Sequence, residues 1–323
     1  MTNVTGGLRV RVASKSTEAT DICSFELVEV DGRSLPAFSA GSHVDVDVAD
    51  GITRQYSLCN DPAESHRYQI AVLRDAATRG GSAAMHDRVM VGDLLTISAP
   101  KNHFPLAHEA KKSLLLAGGI GITPILCMAE RLAAIGADFE MHYCTRSADR
   151  TAFRDHILKS GFVDRVHFHF DDGDESQKLK LAPLLESAAS DTHLYVCGPG
   201  GFLDFVRGCA KDQGWPDTRV HFEYFSAKPV DGHGDTAFDV RLASSGRTVN
   251  VPIGCSIVQA LASVGVDLPV SCEQGVCGTC LTRVLEGTPD HRDHYLTDAE
   301  RAINDQMLPC CSRAKCPLLV LDL

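Results

Sequence analysis

The sequence lacks a long apolar run, an apolar leader segment and an excess of positive charge. Nowhere in its 323 residues are about 18 consecutive apolar residues found, so no membrane-spanning helix is predicted. Residues 1–12 contain no apolar segment typical of a signal peptide, so we expect a cytoplasmic protein with reduced cysteines. The net charge of −11 argues against nucleic acid as a partner. With 44% apolar and 23% charged residues, the chain has a globular composition and a length typical of two or three domains.

Cysteine is abundant, and four of the 13 cysteines form a pattern. Cys272, Cys277 and Cys280 are spaced as C-x4-C-x2-C, and Cys310 follows thirty residues later. This is the ligand spacing of plant-type 2Fe–2S clusters. One tight loop supplies three thiolates, and a distant segment supplies the fourth. Glycines between the ligands suit a loop that curls round an inorganic core.

Zinc binding, disulfide pairing and simple burial are the competing roles for these cysteines. Zinc sites commonly pair two C-x2-C units, and only one such unit is present. A disulfide framework needs an oxidising compartment, and the odd number of cysteines would leave one unpaired. Scattered core cysteines would not fall at these spacings. The pattern therefore favours an iron–sulfur cluster.

The first hundred residues contain short segments that alternate apolar and polar residues. Residues 44–48 read Val-Asp-Val-Asp-Val, as a half-buried strand does. About six such segments, separated by Asp-Gly and Gly-Asp turns, accompany one short helix near residues 82–90. This pattern predicts a closed antiparallel β-barrel.

One predicted strand of this barrel contains Arg54, Tyr56 and Ser57. We expect the three side chains to share one face of the strand. The Arg can bind phosphate, the aromatic ring can pack on a flat ligand, and the hydroxyl can bind a ring heteroatom. Taken alone, the motif is also consistent with an ordinary amphipathic strand.

A second motif, Arg79-Gly80-Gly81-Ser82, precedes the short helix. Backbone N–H groups at a helix N-terminus, with an Arg nearby, form an anion site. Together with the strand motif, it resembles the flavin domain of the ferredoxin-reductase superfamily. The resemblance implies that the three strand residues contact the flavin and that Arg79, Gly81 and Ser82 contact its phosphate.

Residues 113–124 predict a buried strand, a glycine turn and the start of a helix. Thr123 is expected to be the N-cap residue, with Pro124 in the first helical position. Gly119 and Gly121 would let the backbone approach a pyrophosphate. The motif is not G-x-G-x-x-G, because Pro124 takes the last position.

Strands and helices alternate through residues 106–225, which predicts a parallel sheet with ligands at the carboxyl ends of its strands. A second glycine turn there reads Cys-Gly-Pro-Gly-Gly-Phe at 197–202. It resembles the nicotinamide-binding half of the same superfamily. The resemblance implies that Cys197 positions the nicotinamide, with Gly198 beside it. The alternative is a buried cysteine at a strand end.

Two further residues are assigned to this domain. Arg146 follows a predicted strand and is expected to bind a ribose or a 2′-phosphate. No cluster of basic residues demands NADPH, so NADH is favoured. The domain ends near Phe225, which by the resemblance lies against the flavin. Its alternative role is that of a last core residue of the strand.

The remaining residues, 237–323, predict two strands, a helix, the cysteine loop and returning strands. This order resembles the β-grasp fold of plant-type ferredoxins. The gap of thirty residues before Cys310 resembles the ferredoxin spacing. Cys310 is therefore preferred as the fourth ligand over its neighbour Cys311 and over Cys316.

The whole chain resembles the phthalate dioxygenase reductase and vanillate O-demethylase reductase family. The predicted order is a flavin barrel (1–105), a nicotinamide domain (106–225), a linker (226–236) and a ferredoxin domain (237–323). The resemblance implies FMN, NADH and a 2Fe–2S cluster, in an enzyme that passes electrons to a Rieske-type oxygenase in aromatic ring dioxygenation or O-demethylation. We expect a monomer. The alternatives are a reductase for a cytochrome P450 or another soluble one-electron acceptor, and a non-catalytic zinc-binding scaffold.

Overall fold

The computed structural model describes residues 7–49, 52–75, 80–225 and 234–323. The chain divides into two compact units, of which the first ends at Glu223 and the second begins at Tyr224. The predicted Arg79 and most of the predicted linker lie outside the described residues. None of the described helices has the length and apolarity needed to cross a bilayer.

An antiparallel sheet forms the N-terminal part of the first unit. Its strands are β1 (Leu8–Ala19), β2 (Ile22–Glu29), β3 (Ser42–Ala49), β4 (Ile52–Ser57), β5 (Tyr68–Leu73), β6 (Leu94–Ile97) and β7 (Lys101–Asn102). They lie in the order β4-β3-β6-β1-β2-β5, and β7 pairs with β3. A bridge between Leu58 and Ile70 joins the chain after β4 to β5, which closes the path. The structure thus has the predicted closed antiparallel barrel.

Alternation along the strands explains how the barrel core is filled. Val44 and Val46 are fully buried, and they pack with other apolar side chains inside the barrel. Helix α1 (Gly81–Asp87) adds Ala84 and Met85 to the same core. The barrel therefore holds the N-terminal end of α1 at a fixed place beside β4.

A parallel sheet forms the rest of the first unit. Its strands are β8 (Lys112–Gly118), β9 (Asp138–Thr145), β10 (Val166–Phe170), β11 (Thr192–Cys197) and β12 (Val220–Glu223). The helices between them are α2 (Ile122–Ala134), α3 (Arg154–Lys159), α4 (Leu181–Glu186) and α5 (Gly200–Asp212). The strand order β10-β9-β8-β11-β12 reverses direction at β8, because the chain builds outward on one side and then crosses to the other. Ligands of such sheets bind outside the carboxyl ends of the strands at this switch point.

The start of α2 differs from the prediction. A short 3₁₀ turn, Gly119–Gly121, leads directly into the helix, and Gly121 is the N-cap residue. The prediction that Thr123 caps the helix is wrong, because the glycine turn already winds helically. Thr123 lies buried in the first turn, where its hydroxyl donates to the Ile120 carbonyl at 3.1 Å.

The second unit has a mixed sheet. Its strands are β13 (Phe238–Leu242), β14 (Thr248–Val251), β15 (Thr282–Glu286), β17 (Gln306–Met307) and β19 (Leu318–Leu321), and a separate pair is formed by β16 (Pro289–Asp290) and β18 (Arg313–Ala314). The sheet order is β14-β13-β19-β15-β17, with β13 and β19 parallel at its centre. Helices α6 (Ile257–Ala262) and α7 (Asp298–Ile303) both begin with a capping box. This is the predicted β-grasp arrangement.

A buried arginine ties three segments of the second unit together. The guanidinium of Arg313 donates to the carbonyl of Cys255 at 2.7 Å, and to those of Thr236 and Pro252 at 3.1 and 3.2 Å. Its Nε lies 3.4 Å from the carboxylate of Asp235. An uncharged side chain in place of Arg313 would leave the three carbonyl oxygens and the Asp235 carboxylate without this donor.

We expect Arg313→Met to destabilise the second unit by about 3 kcal/mol, because buried acceptors are left unpaired. Urea unfolding followed by the visible absorbance of the iron–sulfur cluster measures this loss. Arg283→Met is the matched control, since Arg283 is exposed on β15. Equal stability of the two variants would contradict the role given to Arg313.

Candidate functional site

The predicted cluster loop lies between α6 and β15, and its backbone requires glycine at two positions. Gly275 and Gly278 have positive φ angles of 71° and 72°. A β-carbon on Gly275 would lie 2.4 Å from the sulfur of Cys311, and one on Gly278 would lie 2.4 Å from the ring of Tyr295. The loop therefore folds tightly against the segments that follow it.

All four predicted cluster ligands meet at this loop. Cys272, Cys277, Cys280 and Cys310 are buried, with at most 9% of each residue exposed. The thiol of Cys272 hydrogen-bonds to Cys277, and the thiol of Cys280 hydrogen-bonds to Cys310. The hydrogen bond from Cys272, together with one from Thr279, lowers the pKa of Cys277 to about 5.

Backbone N–H groups point at these sulfurs, as an iron–sulfur site requires. The N–H of Gln274 donates to the sulfur of Cys272 at 3.3 Å, and the N–H of Thr279 donates to that of Cys277 at 3.4 Å. Four sulfurs with amide donors around them fit a 2Fe–2S cluster. The donor set of these four side chains contains no imidazole or carboxylate.

Cys311 and Cys316, the two rivals for the fourth ligand, differ from Cys310 in what their sulfurs contact. The sulfur of Cys316 accepts from the N–H of Thr288 at 3.1 Å and lies 3.1 Å from the Leu318 carbonyl, at the start of β19. The sulfur of Cys311 lies against Gly275 of the loop, is hydrogen-bonded to Cys310 and is 3.7 Å from the Leu308 carbonyl. Of the three, Cys310 is the one whose thiol is hydrogen-bonded to a loop cysteine.

At the predicted flavin site, the structure brings Arg54 and the start of α1 together. A β-carbon on Gly81 would lie 2.6 Å from Cγ and 2.7 Å from Nε of Arg54, so the arginine crosses the helix N-terminus. The hydroxyl of Ser82 accepts from the N–H of Asp75 at 3.2 Å. Burial raises the pKa of the Tyr56 phenol well above its usual range.

The expectation that Ser57 shares a face with Arg54 and Tyr56 is wrong. Tyr56 pairs with Val44 and Ser57 pairs with His43, and successive residues of a strand point to opposite faces. Ser57 is instead buried at the end of β4, where its hydroxyl donates to the carboxylate of Glu223. The motif thus serves two faces of the barrel.

At the switch point of the parallel sheet, the two glycine turns touch. A β-carbon on Gly121 would lie 2.2 Å from the carbonyl oxygen of Cys197, and one on Gly198 would lie 3.0 Å from the α-carbon of Gly118. No side chain fits between the turns, so backbone lines this edge. Arg146 follows β9 at the same edge of the sheet and is exposed.

Glu223 is a site residue that the motifs of the sequence did not reveal. It ends β12 opposite Cys197, and its Oε2 is buried without a hydrogen-bond partner among the described residues. Burial raises the pKa of this carboxyl to about 8. Burial, with the nearby Glu223, also raises the pKa of the Cys197 thiol, so both groups favour their neutral forms. No local pattern of the sequence marks it, because its surroundings come from the register between β11 and β12.

Phe225 follows two residues later and belongs to the second unit, with 38% of its surface exposed. Its predicted contact with the flavin stays a prediction.

The matched family model describes a 2Fe-2S iron-sulfur cluster binding domain at residues 240–315. The chain is 56% identical to the vanillate O-demethylase oxidoreductase of Pseudomonas putida over 313 residues, covering 97% of this chain and 98% of that protein. Among solved structures, phthalate dioxygenase reductase is similar with a TM-score of 0.78 and 43% identity, over 98% of both chains. An intact type IV self-sufficient cytochrome P450 monooxygenase is similar with a TM-score of 0.85 and 39% identity, over 98% of this chain and 41% of that one.

Fold and site thus define a modular flavin, nucleotide and iron–sulfur oxidoreductase, which confirms the predicted fold class. The chain belongs to the family of the vanillate O-demethylase oxidoreductases and phthalate dioxygenase reductases.

Two adjacent cysteines allow a direct test of the fourth ligand. Cys310→Ser should lose most of the iron and sulfide of the native protein, which we expect to be about two of each per chain. Cys311→Ser should keep both, because the Cys311 thiol is hydrogen-bonded to Cys310 and not to a loop cysteine. Metal analysis and acid-labile sulfide assays measure the difference. The reverse pattern would make Cys311 the ligand.

Titration of Glu223 should show in the pH dependence of stability. Its pKa rises from an ordinary 4.5 to about 8, so the folded chain keeps a proton that the unfolded chain releases. Stability from this group is therefore complete below pH 4.5 and declines as the pH rises towards about 8. Glu223→Gln should remove the decline, with a gain of about 1 to 3 kcal/mol at the upper end.

Denaturant unfolding of the flavin-loaded protein across this pH range provides the measurement. Glu186→Gln, at an exposed position of α4, is the control and should follow the wild type. If the Glu223→Gln profile ran parallel to the wild type, Glu223 would not be a buried neutral acid.

Proposed function

We propose that this chain is the NADH-dependent reductase component of a two-component oxygenase. The observation that supports this most is the four-cysteine site on the same chain as a glycine-lined nucleotide edge. A nicotinamide delivers electrons in pairs, whereas a 2Fe–2S cluster accepts one at a time, so a flavin is needed between them. When bound, FMN takes a hydride from NADH and releases single electrons to the cluster.

The barrel residues would bind and orient the FMN. Arg54, across the start of α1, would face its phosphate together with Arg79, Gly81 and Ser82. Tyr56 would pack on the flavin ring. Ser57 would contact the flavin from the end of β4, where it is hydrogen-bonded to Glu223. Phe225 would lie against the flavin ring.

The nucleotide edge would bind NADH through backbone more than through side chains. Gly119, Gly121 and Gly198 leave room for the pyrophosphate, and buried Thr123 supports their turn through Ile120. Arg146 would bind the adenosine ribose. Cys197, a neutral buried thiol, would hold the nicotinamide in place rather than act as a nucleophile.

The cluster would be held by Cys272, Cys277, Cys280 and Cys310, with the amide donors of the loop tuning its potential. We further propose the predicted domain boundaries, at 105/106, 225/226 and 236/237, as the limits of the three cofactor domains.

The partner would be a Rieske-type oxygenase that acts in aromatic ring dioxygenation or O-demethylation. The 56% identity to a vanillate O-demethylase oxidoreductase favours demethylation. The similarity to a self-sufficient cytochrome P450 monooxygenase keeps a P450 as the second candidate. The chain would act as a monomer.

Replacement of one cluster ligand should separate the two halves of the relay. Cys277→Ser should accept electrons from NADH into its flavin at the wild-type rate, yet reduce the oxygenase more slowly by roughly two orders of magnitude, because single electrons lose their carrier. Anaerobic stopped-flow spectroscopy follows the flavin, and oxygenase turnover follows delivery. Cys209→Ser on α5 is the control and should keep both activities.

Full turnover by Cys277→Ser would contradict the relay. Supplying the wild-type reductase and NADH to a purified Rieske O-demethylase and to a P450 separates the two partners. If only the P450 turned over, the Rieske-type oxygenase would not be the partner.

A further inference from the structure

A group of imidazole and carboxylate side chains lies in the parallel sheet, apart from the residues assigned above. Glu140 and His142 are two residues apart on β9, and His167 on β10 pairs directly with His142. Alternation puts them on the opposite face from Phe139 and Met141, which pack with α2. His142 is buried, whereas half of the His167 side chain is exposed. The group is therefore open to solvent on one side.

Their potential ligand atoms are close together. Oε1 of Glu140 lies 3.2 Å from Nε2 of His142 and 3.5 Å from Nε2 of His167. One ligand atom from each residue lies within 4.8 Å of the others. In tetrahedral zinc sites, bonds of about 2.0–2.1 Å separate neighbouring ligand atoms by about 3.3 Å. The two measured separations match this spacing.

The hydrogen bonds from His142 through His169 to Gln177 indicate which nitrogen of His142 lacks a proton. Nδ1 of His169 lies 2.6 Å from the carbonyl oxygen of Gln177, which can only accept, so this nitrogen has the proton. Nε2 of the neutral His169 ring then accepts from Nδ1 of His142 at 2.9 Å. The lone pair of His142 is consequently on Nε2, which faces Glu140.

Two acceptors thus face each other at 3.2 Å, the distance between His142 Nε2 and Glu140 Oε1. Either a proton or a metal ion between them would make this contact favourable. The ammonium group of Lys112 lies 3.2 Å from the other carboxylate oxygen, Oε2, and leaves Oε1 available.

We propose that Glu140, His142 and His167 bind one divalent transition-metal ion, zinc being the metal that this ligand set suits best. Solvent would complete the coordination through the exposed side of His167. The hydrogen bonds from His142 through His169 to Gln177 orient the buried ligand, as second partners of metal-bound histidines do. The ion would clip the edge strand β10 to β9 and would take no part in the redox chemistry.

Zinc binding to the flavin- and cluster-loaded protein tests this directly. The protein is treated with a mild chelator, dialysed against micromolar zinc sulfate, desalted and analysed for zinc, iron and flavin. The wild type should retain one zinc per chain, and His167→Ala should retain none. Iron and flavin should be unchanged in both, since His167 is half exposed.

The matched control is His156→Ala. His156 is similarly exposed and lies 2.7 Å from Glu130, but it belongs to no such three-residue group in the described chain. This variant should retain its zinc. A wild type that holds no more zinc than His167→Ala would overturn the proposal and would leave a proton between His142 and Glu140.

X-ray absorption at the zinc edge provides a second measurement. Nitrogen and oxygen neighbours at about 2.0–2.1 Å, including imidazole scattering, are expected. Sulfur neighbours at about 2.3 Å would mean that zinc had entered a cysteine site, and would overturn the assignment. The zinc-loaded wild type should also unfold at a higher temperature than the zinc-free protein, and His167→Ala should show no such shift.

Discussion

Three sulfur atoms of one buried loop and a fourth from a later segment converge, and the second unit depends on what holds them together. Thiolates so close together repel one another, and burial adds a desolvation cost. Bound iron would supply the opposing positive charge, and the amide N–H groups of Gln274 and Thr279 donate to two of the sulfurs. Glycine is needed at positions 275 and 278, because the backbone there is left-handed and because a β-carbon would collide with Cys311 or with Tyr295. The buried Arg313 then joins the strand after Cys310 to the entry of α6.

In the proposed function, the first unit has a different task, which is to bring two flat rings together with little charge beside them. At the switch point of its parallel sheet, the backbones of Gly121 and Cys197 are in contact. A nucleotide bound there would contact backbone atoms more than side chains. The Cys197 thiol and the Glu223 carboxyl both favour their neutral forms through burial. Negative charge on the pyrophosphate would be met by the N-terminus of α2 instead. Charge would thus be separated from the place proposed for hydride transfer, and the cofactors would supply the chemistry.

Local patterns in the sequence were sufficient for much of the fold. The alternation at residues 44–48 and the apolar run that begins at residue 113 predict strands, and the structure has β3 and β8 there. The start of α2 was misplaced because a glycine turn can itself wind helically. Ser57 was assigned to the wrong face because its neighbours in the motif obscured the period of two. Glu223 and the group around His142 were missed for another reason. Their environments are created by register between strands far apart in the sequence, which no local pattern contains.

The chain offers two sets of potential metal ligands that differ in their chemistry. The cluster site offers sulfur alone, and soft thiolates favour iron–sulfur chemistry. The site on β9 and β10 offers imidazole and carboxylate, which suit a redox-inert ion such as zinc. Each set is fixed by its own scaffold, a glycine loop in one unit and a strand register in the other. Because zinc also binds thiolates, an ion would occupy the sheet and stabilise its edge strand only while the four cysteines already hold the cluster.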